Sequence, residues 1–137
     1  MSRETRFGKF SVVGLMGAVV QVFVFDLLLK PCHLPAAAAA AIAVEIAVLH
    51  NFCWHERFTW RERNATSYHR AARLWRFHIS NGFVPLAVNA LLTWFLLREL
   101  KAPPVLPAVI AIAFCAPANF LLADRWVFPA RYTWEKQ

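Results

Sequence analysis

Acidic residues are scarce in this chain: of 137 residues, 8 are Asp or Glu, against 15 Lys or Arg. Charge of either sign is also sparse, at 17%, where a soluble globular domain averages about 25%. With 59% hydrophobic residues, the polar tracts that keep a chain disordered are absent. Cysteine is limited to Cys32, Cys53 and Cys115, with no C-x-x-C pair and no metal-ligand spacing. A disulfide framework and a zinc site are therefore not expected. The histidines, His33, His50, His55, His69 and His78, form neither H-x-x-x-H nor H-E-x-x-H. A Gly-rich phosphate loop, a Ser-His-Asp set and a carboxylate pair suited to glycosyl chemistry are missing too. No catalytic residue, metal ion or cofactor is expected, and the chain does not read as an enzyme.

What the chain does have is long apolar runs. Crossing about 30 Å of hydrocarbon takes about 20 helical residues, and four stretches qualify: Phe10 to Leu29, Pro35 to Trp54, Trp75 to Leu97, and Val105 to Ala123. The last is short and contains Pro107 and Pro117. The first is too long for a cleaved signal peptide and lacks a small-residue cleavage site after it. The pattern predicts an all-α membrane protein of four transmembrane helices in two hairpins, with Pro85 and Pro117 as kinks.

Basic residues set the orientation. Arg3, Arg6 and Lys9 precede the first span, Arg57, Arg61, Arg63, Arg70, Arg73 and Arg76 fill the central loop, and Arg125, Arg131 and Lys136 follow the last. Only Lys30, Arg98 and Lys101 flank the hairpin turns. The positive-inside rule then puts both termini and the central loop in the cytoplasm. The charge forms a collar at one membrane face, which points to anionic lipid headgroups and not to nucleic acid. Trp54, Trp60, Trp75, Trp126 and Trp134 fall at that same boundary, as an interfacial aromatic belt does.

The two halves match at an offset of 68 residues. Gly14 pairs with Gly82, Gln21 with Asn89, Pro35 with Pro103, Asn51-Phe52 with Asn119-Phe120, Glu56-Arg57 with Asp124-Arg125, and Trp60 with Phe128. Each half carries an even number of spans, so both insert the same way up. Parallel repeats with pseudo-twofold symmetry along the membrane normal follow. The chain reads as one domain, 1–137, with repeat one at about 7–60, repeat two at about 75–128 and a basic cytoplasmic loop between them.

Several polar residues fall inside the spans, where they are costly and usually face a partner helix or a cavity. At about 1.5 Å of rise per residue, Gln21, Glu45 and Asn89 lie near the midplane. His50, Asn51, Asn81 and Asn119 lie in the cytoplasmic half, and Arg57, Arg76 and Arg125 at the boundary. The polar groups thus lead from a basic mouth towards the middle. Stripes of small and polar residues accompany them: Gly14, Ala18, Gln21 and Phe25; Asn81, Pro85, Asn89 and Thr93; Ala108, Ile112, Cys115 and Asn119. Such stripes mark helix–helix contact or a substrate-facing surface. Glu45 is either a proton-exchanging carboxyl or a neutral hydrogen-bond partner of Gln21 or Asn89. The guanidinium forks of Arg57 and Arg125 suit phosphate oxygens; the alternative is snorkelling to headgroups with pairing to Glu56 and Asp124. Asn51 and Asn119 are helix caps, interhelical hydrogen-bond donors, or sugar and phosphate ligands.

The closing segment Asn-Phe-x3-[Glu/Asp]-Arg-[Phe/Trp]-x-[Trp/Phe], present at Asn51–Trp60 and again at Asn119–Phe128, resembles that of the GtrA-like family. The resemblance runs from about Phe7 to Phe128. Two departures stand out: Trp54-His55-Glu56 precedes Arg57 where Asn or Ser is more usual before the arginine, and Gln21 stands where the family often has Asp. The resemblance implies a multi-pass protein of the bacterial cytoplasmic (inner) membrane, serving cell-envelope polysaccharide synthesis. It would flip a polyprenyl-phosphate-linked sugar from the cytoplasmic to the outer leaflet, beside a membrane glycosyltransferase. On this reading Arg57, Arg125, Asn51, Asn119 and Arg76 meet the phosphate headgroup, and Gln21, Asn89, Asn81 and Glu45 line the sugar's path. Four short spans enclose little volume for a polyprenyl chain, so a homo-oligomer or a groove open to lipid is expected. Two other functions fit the same pattern: a non-transporting anchor or scaffold for a glycosyltransferase, and a small multidrug-type exporter with Glu45 as its cation site.

Overall fold

Ser2 starts the first helix. Its side chain accepts a hydrogen bond from the Thr5 backbone N–H at 3.2 Å, satisfying one of the amides that a helix start leaves without a partner. In the computed structural model, α1 then runs unbroken through Arg3–Leu29; its 27 residues reach about 40 Å. The structure describes residues 1–63, 70–83, 87, 91, 94, 95, 98 and 105–130. Most of the third expected span, with Pro85 and Asn89, lies outside them, as do Lys101, Arg131, Trp134 and Lys136.

The chain reverses after Lys30-Pro31. His33 takes a left-handed φ of 52°, a conformation that histidine adopts more readily than most side chains. Leu34 N–H closes the turn onto the Leu28 carbonyl at 3.1 Å. Pro35, its φ already suited to a helix start, leads into α2, Ala36–Trp54, whose opening alanine run has the highest helix propensity available. Both helices are long and apolar enough to cross a membrane, the second continuing to Thr59.

α1 and α2 pack against each other through small residues. Ala39, Ala43 and Ala47 are buried on α2, and Phe10, Val13 and Gly17 on α1. An alanine every fourth residue lets two backbones approach closely, the usual route to helix association in a membrane. The expected stripe on the first span is therefore displaced. Ala18 and Gln21 are exposed, and Gly14 and Phe25 are half-buried. The buried face is instead the one on which Gly17 makes room for a side chain of α2.

α2 runs on into a π turn, His55–Thr59, closed by Trp60 N–H on the His55 carbonyl at 2.9 Å. A short 3-10 turn, Arg61–Arg63, follows. Further along are α3, Arg70–His78, a second π turn, Ile79–Phe83, α4, Val105–Leu122, and a third π turn, Ala123–Val127. Pro117 lies within α4 without ending it. The third π turn is closed by Phe128 N–H on the Ala123 carbonyl at 2.8 Å. All regular structure among the described residues is helical. Contacts divide the chain into two compact units, Met1–Glu62 and Arg63–Gln137.

Inside each unit the same local core recurs. In the first, Phe10 meets Trp60 edge-on, ring centroids 6.0 Å apart; in the second, Phe77 meets Phe128 edge-on at 6.5 Å. Trp60 and Phe128 are 68 residues apart, but Phe10 and Phe77 are 67 apart, as are Arg6 and Arg73, and Lys9 and Arg76. A single offset does not serve the whole chain. The π turn at Ile79–Phe83 accounts for the change, because a π turn holds one residue more than an α turn; α1 has none.

Candidate functional site

Each closing segment carries its acid and its arginine side by side on a π turn. The widened turn buries Glu56 and half-buries Asp124, while Arg57 and Arg125 project outward and are exposed. Among the described residues neither arginine makes a hydrogen bond or ion pair. Pairing of Arg125 with Asp124, one of the alternatives the sequence left open, does not occur. Asp124 is held instead by Arg63, Nη1 to Oδ1 at 3.0 Å, with side chains only 11% and 12% exposed. The same Nη1 donates to the carbonyls of Asp124 at 2.8 Å and Phe128 at 2.6 Å, capping the end of the third π turn.

A cation from the opening helix of each unit holds the aromatic residue after that arginine. Lys9 Nζ lies 4.5 Å from the Phe58 ring centroid and donates to the Phe58 carbonyl at 3.4 Å. Arg76 lies 5.9 Å from the Trp126 ring centroid and donates through Nη1 to the Trp126 carbonyl at 3.3 Å. Arg76 thus spends part of its guanidinium on the turn. Its forked shape leaves further N–H groups for a ligand. Sequence reasoning found Arg76 but not Lys9, since the two stand 67 and not 68 residues apart.

The remaining polar residues are dispersed. Asn51 packs its carboxamide onto Gly17 and takes a contact from His50 Nδ1 at 3.3 Å. Asn119 is half-buried, its Oδ1 enclosed without a hydrogen-bond partner among the described residues. Asn81 donates to Ser80 Oγ at 3.0 Å. Gln21 and Glu45 are both exposed, and Asn89 lies outside the described residues. His55, with no expected role, is buried: stacked on Phe10 at 4.9 Å, edge-on to Trp60 at 5.2 Å, and bonded through Nδ1 to Thr59 Oγ1 at 3.0 Å.

Part of the charged surface is concave. Lys9, Arg57, Phe58, Arg61 and Glu62 line a hollow of about 350 Å³ in the first unit. No group of His, Cys, Asp or Glu suited to a metal ion occurs among the described residues. The arrangement offers cationic hydrogen-bond donors, which suit binding of an anion.

Residues 9–128 match the family described as GtrA/DPMS, transmembrane domain. Among curated proteins, the chain is similar to the dolichol-phosphate mannosyltransferase of Pyrococcus furiosus, 35% identical over 92 residues. That alignment takes in 67% of this chain but 25% of the other, so the chain spans about a quarter of that relative's length.

Proposed function

The chain belongs to the GtrA/DPMS transmembrane-domain family, and from that membership we propose that it flips a polyprenyl-phosphate-linked sugar from the cytoplasmic to the outer leaflet for envelope polysaccharide synthesis. The observation that carries this reading is the pair of outward-facing arginines, Arg57 and Arg125, each set on a π turn with its neighbouring acid turned inward. Two guanidinium groups presented in this way suit a phosphate approaching from the inner leaflet. Asn51, Asn119 and the remaining donors of Arg76 complete the headgroup contacts, and Gln21, Asn81, Asn89 and Glu45 line the sugar's path. The fold for this task is one domain of four spans in two parallel hairpins, both termini in the cytoplasm, in the bacterial inner membrane.

The isoprenoid tail stays in the bilayer while the headgroup crosses. An apolar hollow of about 620 Å³ along α1, lined by Leu15, Ala18, Val19, Val22, Phe23 and Asp26, supports a groove open to lipid. The test is reconstitution into liposomes with a radiolabelled polyprenyl-phosphate sugar, measuring its arrival in the opposite leaflet. Protein-dependent transfer supports the reading, and transfer equal to that of empty liposomes overturns it.

A second reading has an observation of its own. The match to one quarter of a mannosyltransferase supports work beside a membrane glycosyltransferase, as its anchor or scaffold. An anchor without transport would raise that enzyme's activity in liposomes while moving no lipid-linked sugar.

A further inference from the structure

We propose that the hollow between the start of α1 and the first π turn receives the phosphate of an isoprenyl-phosphate-linked sugar, and that Lys9 and Arg61, both outside the closing segment, hold it together with Arg57. The inference rests on the reading of the chain as a carrier of that lipid, and it says where the headgroup first docks. The volume, about 350 Å³, sits at the lower end of small-molecule pockets, about 300–1,000 Å³. That is room for a headgroup and not for its tail. Three cations converge there with one acid. Arg57, Arg61 and Glu62 make no hydrogen bond or ion pair among the described residues. Lys9 gives the Phe58 carbonyl one long bond of 3.4 Å, which leaves two of its three N–H donors for a ligand. The ring of Phe58 fixes the ammonium in place at 4.5 Å.

The other two members narrow the ligand class. A carboxylate beside three cations weakens the attraction for a bare anion, yet it is an acceptor for hydroxyl groups. An aromatic wall offers an apolar surface next to it. Glu62 and Phe58 therefore suit a phosphate that carries a polyhydroxyl group better than inorganic phosphate or a phospholipid headgroup. Two of its members also lack counterparts: 68 residues after Arg61 and Glu62 the second unit has Pro129 and Ala130. Docking thus belongs to the first unit, while Arg125 meets the headgroup at a later stage.

The test is equilibrium binding to the full chain in lipid nanodiscs, using farnesyl phosphate, its mannosyl ester, inorganic phosphate and phosphatidylglycerol as probes. Lys9→Gln/Arg61→Gln should weaken farnesyl phosphate binding by about tenfold or more. Arg3→Gln/Lys30→Gln, which removes the same charge elsewhere, should leave it within about twofold. Glu62→Gln should weaken the mannosyl ester but not farnesyl phosphate. Lys9→Arg/Arg61→Lys should retain binding, separating loss of the site from loss of the fold. Wild-type binding in the Lys9→Gln/Arg61→Gln protein overturns the proposal, as does equal competition by inorganic phosphate or phosphatidylglycerol. Leaflet transfer reads the function separately. Binding that depends on Lys9 and Arg61 without any transfer sinks transport and upholds the site; undiminished transfer in Lys9→Gln/Arg61→Gln sinks the site and upholds transport.

Discussion

The carboxamide of Asn51 lies on Gly17, so close that a Cβ at position 17 would overlap it. The first residue of the closing segment is thereby locked between α1 and α2 rather than left to cap its own helix. Gly17→Ala should destabilise the chain by about 1–3 kcal/mol through overpacking. Gly14, with nothing near its missing Cβ, gives the contrast: Gly14→Ala should be neutral or stabilising, by up to about 1 kcal/mol of helix propensity. Unfolding in micelles measures both. Adding Asn51→Ala to Gly17→Ala should recover part of the loss, as expected of a contacting pair. Equal stability of the two alanine variants would contradict the contact.

Arg63 and Asp124 should matter far more than the exposed pair Lys30 and Asp26. With side chains 11% and 12% exposed, and two carbonyls sharing the same Nη1, Arg63→Gln should cost about 2–3 kcal/mol. Arg63→Lys should restore less than half of that, since an ammonium lacks the fork. Lys30 and Asp26, 72% and 54% exposed, should contribute less than about 1 kcal/mol, because exposed pairs are screened. Unfolding free energies of Arg63→Gln and Lys30→Gln decide the order.

Where the first unit buries the pair His55 and Thr59, the matching places of the second hold Ala123 and Val127. Thr59→Val should cost about 1–3 kcal/mol by removing the hydroxyl on His55 Nδ1, and Thr59→Ser should cost much less. At the matching place in the second unit, Val127 is fully buried beside Ala123 rather than a histidine, so Val127→Thr should also destabilise. Stability gained by Val127→Thr would count against this account of the two cores.

How much of this was legible beforehand varies by element. The first two spans were, because apolar runs ending at Lys30-Pro31 and Trp54 leave little choice; α1 and α2 end at Leu29 and Trp54. The closing segments were also legible from their repeated polar residues. The buried stripe was not: any α1 face of this apolar helix fits a simple pattern, and Gly17 is singled out only by where Asn51 lies. Nor was the match of Lys9 with Arg76, because a π turn leaves no mark in composition and shifts the register by one residue. Asp124 looked like a partner for adjacent Arg125; in the fold Arg63 takes its carboxylate instead.

The central claim is that the outward arginines of the two closing turns handle a lipid-linked phosphate during its passage. The most direct measurement is leaflet transfer of a radiolabelled polyprenyl-phosphate sugar in liposomes containing the wild-type chain, Arg57→Gln or Arg125→Gln, with protein content matched. The account predicts protein-dependent transfer that falls by about tenfold or more in each variant, the worth of one charge-assisted contact, while folding is retained. Transfer by either variant at the wild-type rate, or wild-type transfer no faster than in empty liposomes, would contradict it.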